Sequence, residues 1–226
     1  MTLGAMIPYQ VCHCVSSSVL YDRPMPRWEA GAEERLAQAA YELYIERGFD
    51  HVTVAEIAER ARLTKRTFFR YFADKREVLF SGAAAFQESV VAAVISAPDG
   101  VAPIDAVVVA LAAVGTGLTE LGEGARQRKR LIDTSTVLQE REMIKMAGLT
   151  TSISDGLELR GIPEATARLT AEAGVTVFKT AFERWADREG SVEFAPLVHE
   201  ALDELRAAIR SDDMDVRAGP ANHREY

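Results

Sequence analysis

The chain reads as an all-α protein, and three observations carry that reading. Prolines fall at 8, 24 and 26 and then not again until 98, and the block between holds only Gly31, Gly48 and Gly82, a composition that favours consecutive helices. Beyond residue 81 Ala, Val and Leu recur at helical spacing between Pro/Gly-containing breaks. Nowhere is there strand-period alternation, an Asn-Gly hairpin turn or an internal repeat.

The elements follow in order. Leu36, Ala39, Ala40, Leu43 and Tyr44 keep the i, i+3, i+4, i+7, i+8 spacing of one buried helical face, and Gly48 ends that helix with Phe49 able to fold back as its apolar cap. Thr53 with Glu56 is a capping box, opening a short helix over 53–60 whose stripe is Val54, Ile57, Ala58 and Ala61. Thr64 caps the next helix, which runs through Tyr71 and sets Phe68 and Phe72 one turn apart, able to pack with Leu63. Asp74 is expected to begin another helix, with Lys75, Arg76, Val78, Leu79 and Phe80. Breaks at Ala97-Pro98-Asp99-Gly100, Gly122-Glu123-Gly124, Arg160-Gly161-Ile162-Pro163 and Arg188-Glu189-Gly190 then delimit helices at roughly 75–96, 103–120, 124–134, 137–159, 163–188 and 193–210.

Composition narrows the function classes. A chain of 226 residues, 48% apolar and 27% charged, is long enough for a core of its own, so whole-chain disorder and a disulfide scaffold are excluded. Cys12-His13-Cys14 has no second ligand cluster downstream, and His51, His199 and His223 have no paired spacing, so no metal site and no cofactor are expected. Residues 1–21 carry no Lys, Arg, Asp or Glu, but no basic n-region precedes them and polar residues break the apolar stretch. The uncharged run Ala106–Leu118 is well short of the ~20 residues a membrane span needs. The expectation is a cytoplasmic protein without membrane contact.

Two short helices joined by about three residues are too tightly linked for a bundle hairpin and suit the crossed pair of a helix-turn-helix. Charge agrees with this. From Arg60 to Arg76 stand Arg60, Arg62, Lys65, Arg66, Arg70, Lys75 and Arg76 against Asp74 alone, so the window carries +6 in a chain of net −8 and the remainder carries −14. A basic island on the second helix of such a motif is the electrostatic footprint of duplex DNA binding. With Leu63, Phe68 and Phe72 inward, the outer face presents Lys65, Arg66, Phe69 and Arg70. Lys65 and Arg66, at the N-terminal end, are placed to read base edges, while Thr53, Thr64 and Lys75 at helix starts are expected to meet phosphate oxygens.

At these residues the sequence resembles a known family. The run from Arg35 to Phe80, above all Thr53-Val54-Ala55-Glu56-Ile57-Ala58 followed by Thr64-Lys65-Arg66-Thr67-Phe68-Phe69-Arg70-Tyr71-Phe72-Ala73-Asp74-Lys75, is similar to the DNA-binding domain of TetR-family transcriptional regulators. Carried over position by position, the resemblance implies a DNA surface of Thr53, Thr64, Lys65, Arg66, Thr67, Phe69, Tyr71 and Lys75. It implies a regulator and not an enzyme: an N-terminal helix-turn-helix domain over 27–80, and a helical effector-binding and dimerisation domain over 81–210. Residues 1–26 are then a disordered extension and 211–226 a flexible tail. The resemblance further implies a homodimer on a pseudo-palindromic double-stranded operator, with recognition helices about 34–36 Å apart, acting as a repressor released by a small-molecule effector. The family's dimer interface is a four-helix bundle from the last two long helices, here 163–188 and 193–210, and Leu197, Ala201, Leu202, Leu205 and Ile209 form an apolar seam suited to it. Two departures stand out. Phe69 occupies the usual place of a tyrosine, which removes a phosphate hydrogen bond, and Arg62 occupies the usual place of a turn glycine, at a cost on the order of 1 kcal/mol if φ there is positive.

Weaker features have plainer readings beside the functional ones. Met143, Met146, Phe178, Phe182 and Trp185 are residues an effector pocket would draw on, although apolar stripes at helical spacing are more often core. Gly115-Thr116-Gly117 lacks the strand of a dinucleotide loop and reads as a thinned helix leaving room for something, a ligand included. His199-Glu200 with Asp203 reads as helix surface. Arg126, Arg128, Lys129 and Arg130 form a second basic cluster, ordinarily a solvated face, with an anionic effector such as an acyl-coenzyme phosphate as the sharper alternative. The competing function classes, a helical adaptor binding only protein and a helical enzyme using an interior cavity, leave the +6 two-helix window unexplained.

Overall fold

The computed structural model describes residues 31–188, 190 and 192–217, with residue 120 and residues 211–217 described by backbone alone. The extension 1–26, with Cys12, His13 and Cys14, and the end of the tail beyond 217 lie outside the described residues. Among those residues every regular element is helical: α1 Ala32–Arg47, α2 Val54–Arg60, α3 Lys65–Tyr71, α4 Ala83–Ile95, α5 Pro103–Leu121, α6 Glu123–Asp133, α7 Thr136–Leu159, α8 Glu164–Asp187 and α9 Phe194–Arg217, with short 3-10 helices at Phe49–His51 and Glu77–Phe80.

The expected periodic face of α1 is its buried face: Leu36, Ala39, Ala40, Leu43 and Tyr44 are all buried. Gly48 ends the helix at φ 81°, a region open to glycine, its N–H bonded to the Tyr44 carbonyl, and Phe49 folds back with its ring edge-on to Tyr44 at 5.2 Å. The continuous helix expected over 75–96 is not formed. Asp74 Oδ1 accepts from the Arg76 and Glu77 backbone N–H groups at 2.7 and 3.3 Å, folding the chain into a turn, and the consecutive residues Val78, Leu79 and Phe80 are all buried, which one face of an α-helix cannot achieve. A 3-10 turn serves instead, and α4 begins only after Gly82. At the other end α9 continues to Arg217, past the expected stop at 210.

The chain divides into two compact units. The first comprises the chain through Ser89 together with residues 120–149. Its core joins Leu36, Leu43, Tyr44, Ile57, Phe68, Phe72 and Val78–Phe80 with Leu131, Ile132 and Leu138 of α6 and α7, so these later helices complete the core of the helix-turn-helix unit. The second unit comprises 90–119 and 150 onward, with α8 and α9 as its main helix pair. Arg184 forks onto both Glu204 oxygens at 2.8 and 2.6 Å, and the buried Trp185 donates its indole N–H to the Val192 carbonyl at 2.8 Å. Within this unit α5 approaches closely where it meets glycine. A Cβ on Gly174 would lie 2.4 Å from Val107 Cγ1, and one on Gly115 would lie 2.4 Å from the Phe194 ring. The thinning at Gly115 therefore makes room for Phe194, a core side chain, and not for a ligand.

The stretch Glu77–Ile95 has the length and apolar composition of a membrane span, but its first part is 3-10 helix and turn, interrupted before α4 begins. Among the described residues no group of three or more His, Cys, Asp or Glu gathers to hold a metal ion.

Candidate nucleic-acid interface

Local hydrogen bonding builds the two-helix motif as its sequence requires. Thr53 Oγ1 accepts from the Glu56 N–H at 3.3 Å and donates to Glu56 Oε2 at 2.7 Å, and the Thr53 N–H donates to the same oxygen at 2.9 Å, completing the capping box. These bonds from Thr53, with the Arg47 guanidinium at 3.0 Å, hold the Glu56 carboxyl below the usual carboxylate range. Thr64 caps α3 by accepting from the Thr67 N–H at 3.1 Å, and the two hydroxyls lie 2.9 Å apart.

Between these caps α2 ends in a Schellman motif. The Leu63 N–H reaches back to the Ala58 carbonyl at 2.8 Å and the Arg62 N–H to the Glu59 carbonyl at 2.9 Å. That motif needs a left-handed residue, and the one supplied is Arg62 at φ 56°, among the described residues the sole non-glycine at positive φ. The conditional strain expected at Arg62 is present.

α3 divides its faces as expected. Phe68 and Phe72 are buried, with centroids 5.4 Å apart, and Leu63 packs against their cluster. Phe69 is 56% exposed, standing edge-on to Phe68. Lys65 and Arg66 are exposed, and among the described residues neither has a hydrogen-bond or ion-pair partner. Arg70 donates to the Tyr71 hydroxyl at 2.9 Å with its guanidinium 4.8 Å over the Tyr71 ring, which leaves the Tyr71 O–H able to donate outward.

The +6 window is therefore not uniformly available to an anion. Arg60 pairs with Glu46 at 2.9 and 3.0 Å and with Glu42 at 3.3 Å, and Arg76 pairs with Asp74. Lys75 lies in the turn after α3, not at an α-helix start, and its ammonium donates to the Phe49 and Val52 carbonyls, both at 2.8 Å. Sequence reasoning missed this role of Lys75; its only cue was the burial of Phe49 as a cap, which leaves nearby carbonyls in need of a donor. Outward on the motif stand Lys65, Arg66 and Arg70, the last donating to the Tyr71 hydroxyl, with Arg62 in the turn before them.

The second basic cluster is occupied internally. Arg128 donates to the Leu79 carbonyl at 2.7 Å, lies over the Phe80 ring and faces Glu142 at 3.4 Å; Lys129 pairs with Asp133 at 2.6 Å, and Arg130 pairs with Glu123. Arg128 ties α6 to the 3-10 turn and to α7, whereas the Lys129 and Arg130 pairs lie within α6. Of the candidate effector residues, Phe178 and Trp185 are buried and Phe182 half-buried in one aromatic cluster with Phe194, Met146 is half-buried, and Met143 is 65% exposed. Of the expected dimer seam, Leu197, Ala201 and Leu202 are buried within the protomer, Leu205 is half-buried and Ile209 is 66% exposed.

Comparison with known proteins bears on both units. Residues 36–81 match the family described as "Bacterial regulatory proteins, tetR family" and residues 101–210 match "MftR C-terminal domain". The chain is similar to the HTH-type transcriptional regulator TcmR of Streptomyces glaucescens, 40% identical over 81 residues that make up 36% of each protein, so the match spans about a third of that relative's length. Among solved structures it resembles the complex of SmeT with triclosan, SmeT being the repressor of a Stenotrophomonas maltophilia multidrug efflux pump: 18% identity, 79% of this chain and 91% of that one, TM-score 0.54. A transcriptional regulator from Aquifex aeolicus VF5 is 17% identical over 79% of this chain and 99% of that one, TM-score 0.50. At such identities the likeness of these structures is one of fold.

Proposed function

Because the chain belongs to the TetR family of bacterial regulatory proteins, a family of transcriptional regulators and not of enzymes, we propose that it is a DNA-binding repressor released from its operator by a small-molecule effector. The observation that carries the reading is the first turn of α3. Lys65 and Arg66 project from a helix capped by Thr64 and backed by buried Phe68 and Phe72, with no partner among the described residues. That is the arrangement of side chains that enter a major groove, Arg66 forking onto a guanine edge. Tyr71 and one of the paired Thr64 and Thr67 hydroxyls flank them as O–H donors for phosphate oxygens, Thr53, whose own O–H is given to Glu56, lines the surface at the start of α2, and Phe69 supplies an apolar contact with sugar or a thymine methyl.

The protein acts as a homodimer on a pseudo-palindrome, through α8 and α9 with Ile209 among the contacts, and in the cytoplasm, where its DNA is. The effector shifts the balance between two conformations of the dimer by preferring one. The effector is proposed to meet Phe178, Phe182 and Trp185 in the second unit, and the contacts proposed at Met143 and Met146 belong separately to the first; an effector that enters the aromatic cluster displaces an indole whose N–H is held by Val192. The test is fluorescence-anisotropy titration of the full chain against the DNA just upstream of its own reading frame, with random competitor, over a salt series. Competitor-resistant, salt-dependent binding is expected. Absence of binding to any duplex at low salt would refute the reading.

A further inference from the structure

We propose that Arg62, the left-handed residue in the turn between α2 and α3, is a ligand for the phosphate backbone of the bound DNA. The inference rests on the DNA-binding reading above and extends its surface from α3 into the turn. Arg62 sits at φ 56°, among the described residues the sole non-glycine at positive φ, and its N–H closes the Schellman motif on the Glu59 carbonyl at 2.9 Å. Glycine would meet that backbone requirement without strain. An L-residue kept there by its surroundings points to a use for its side chain.

That side chain is available. Arg60, two residues earlier, forks onto both Glu46 oxygens at 2.9 and 3.0 Å and reaches Glu42 at 3.3 Å, while Gln38 donates to the other Glu42 oxygen at 2.8 Å. The acids of α1 that meet the end of α2 are therefore already engaged. Arg62 borders an open groove lined also by Glu34, Arg35, Gln38, Glu42 and Arg60, yet it is exposed and has no hydrogen-bond or ion-pair partner among the described residues, Glu34 included.

Its place in the motif selects the phosphates. In a helix-turn-helix the first helix crosses the DNA backbone and the second enters the major groove, so the turn between them passes the edge of the groove. Arg62 stands three residues before Lys65, at most about 10 Å from it along the chain. The major groove is about 12 Å wide, so with Lys65 near its middle either wall lies about 6 Å away. A cation within that reach stands over a wall of phosphates and not over the bases. Its guanidinium, charged at every working pH, forks onto two phosphate oxygens at once. Such a contact carries no sequence information; it adds affinity and fixes register beside Lys65 and Arg66.

The test uses the full chain as wild type, Arg62→Gly, Arg62→Ala and Arg62→Lys, each checked for folding by circular dichroism and titrated by fluorescence anisotropy across a salt series. Two duplexes of equal length are the probes: the DNA just upstream of the protein's own reading frame, and a random sequence. Glycine and alanine are expected to weaken binding equally on both duplexes and to reduce the slope of log affinity on log salt by about 0.9 per protomer bound. Lysine, a point charge in place of a fork, is expected to keep the wild-type slope. The glycine variant loses the contact although its turn is relieved of strain, which separates a lost ligand from a damaged structure. An unaltered slope for Arg62→Gly overturns the proposal, and so does a loss confined to the upstream duplex, which would make Arg62 a reader of bases. A lysine variant with the reduced slope of alanine overturns it as well. If Arg62→Ala does not fold, the glycine and lysine variants decide. A wild type that binds neither duplex at low salt is a separate outcome, which refutes the DNA-binding reading and this proposal with it.

Discussion

Arg62→Gly should stabilise this protein, which is unusual for a substitution inside a DNA-binding motif. The αL conformation costs an L-residue roughly 1–2 kcal/mol. Glycine removes that strain but adds unfolded-state freedom worth about 0.4–1 kcal/mol. Nothing else is lost, because the Arg62 N–H keeps its bond to Glu59 in any variant and the exposed side chain has no partner among the described residues. The net gain is about 0.5–1 kcal/mol, which for a chain of this size raises Tm by about 1–4 °C. Urea denaturation and a thermal scan measure it, and Arg62→Ala is the control, since alanine loses the charge while keeping the Cβ. A glycine variant no more stable than the alanine variant would refute the strain argument. The same pair in a DNA titration shows whether the outward cation contributes: both variants should lose the same amount of affinity if charge alone matters.

Three further outcomes are expected. Arg66→Ala should cost about 1–3 kcal/mol on the operator and relax preference at one base pair, measured by anisotropy on single-base operator variants; equal losses on operator and random DNA would sink the base-reading role. Gly174→Ala should destabilise by about 1–3 kcal/mol, because its Cβ would lie 2.4 Å from Val107 Cγ1. Val107→Ala in the same chain should recover part of that loss, and strict additivity of the two in chemical denaturation would show that they do not touch. Glu77, hydrogen-bonded by Arg141 and Lys145, has its carboxyl pKa pushed below the ordinary 4.5. A depressed folded pKa contributes stability that is present above the unfolded value and is lost as pH falls through the folded one. Glu77→Gln should therefore flatten the acid limb of a stability–pH curve below about pH 4.5 and leave its neutral shape unchanged; an unaltered acid limb would show that the pair contributes nothing there.

What the sequence determined by itself lies where the interactions are local. The periodic face of α1, the Gly48 stop, the Thr53–Glu56 box, the Thr64 cap and the burial of Phe68 and Phe72 each depend on residues within about one or two helical turns, so spacing alone exposes them. The left-handed turn at Arg62 was expected only through the family resemblance, in which a glycine usually stands there. Tertiary structure decided the rest. Whether Val78, Leu79 and Phe80 make an α-helix or a 3-10 turn depends on their being buried on every side, which no helical stripe announces. That Gly115 answers Phe194 and Gly174 answers Val107 is a matter of residues distant in the chain meeting at close range. The charge of the basic window was countable from the sequence, but not its availability: Arg60 is held by α1 and Lys75 by the carbonyls of Phe49 and Val52, while Lys65 and Arg66 have no partner among the described residues. A charge is a property of the residue, whereas a free hydrogen-bond donor is a property of the fold around it.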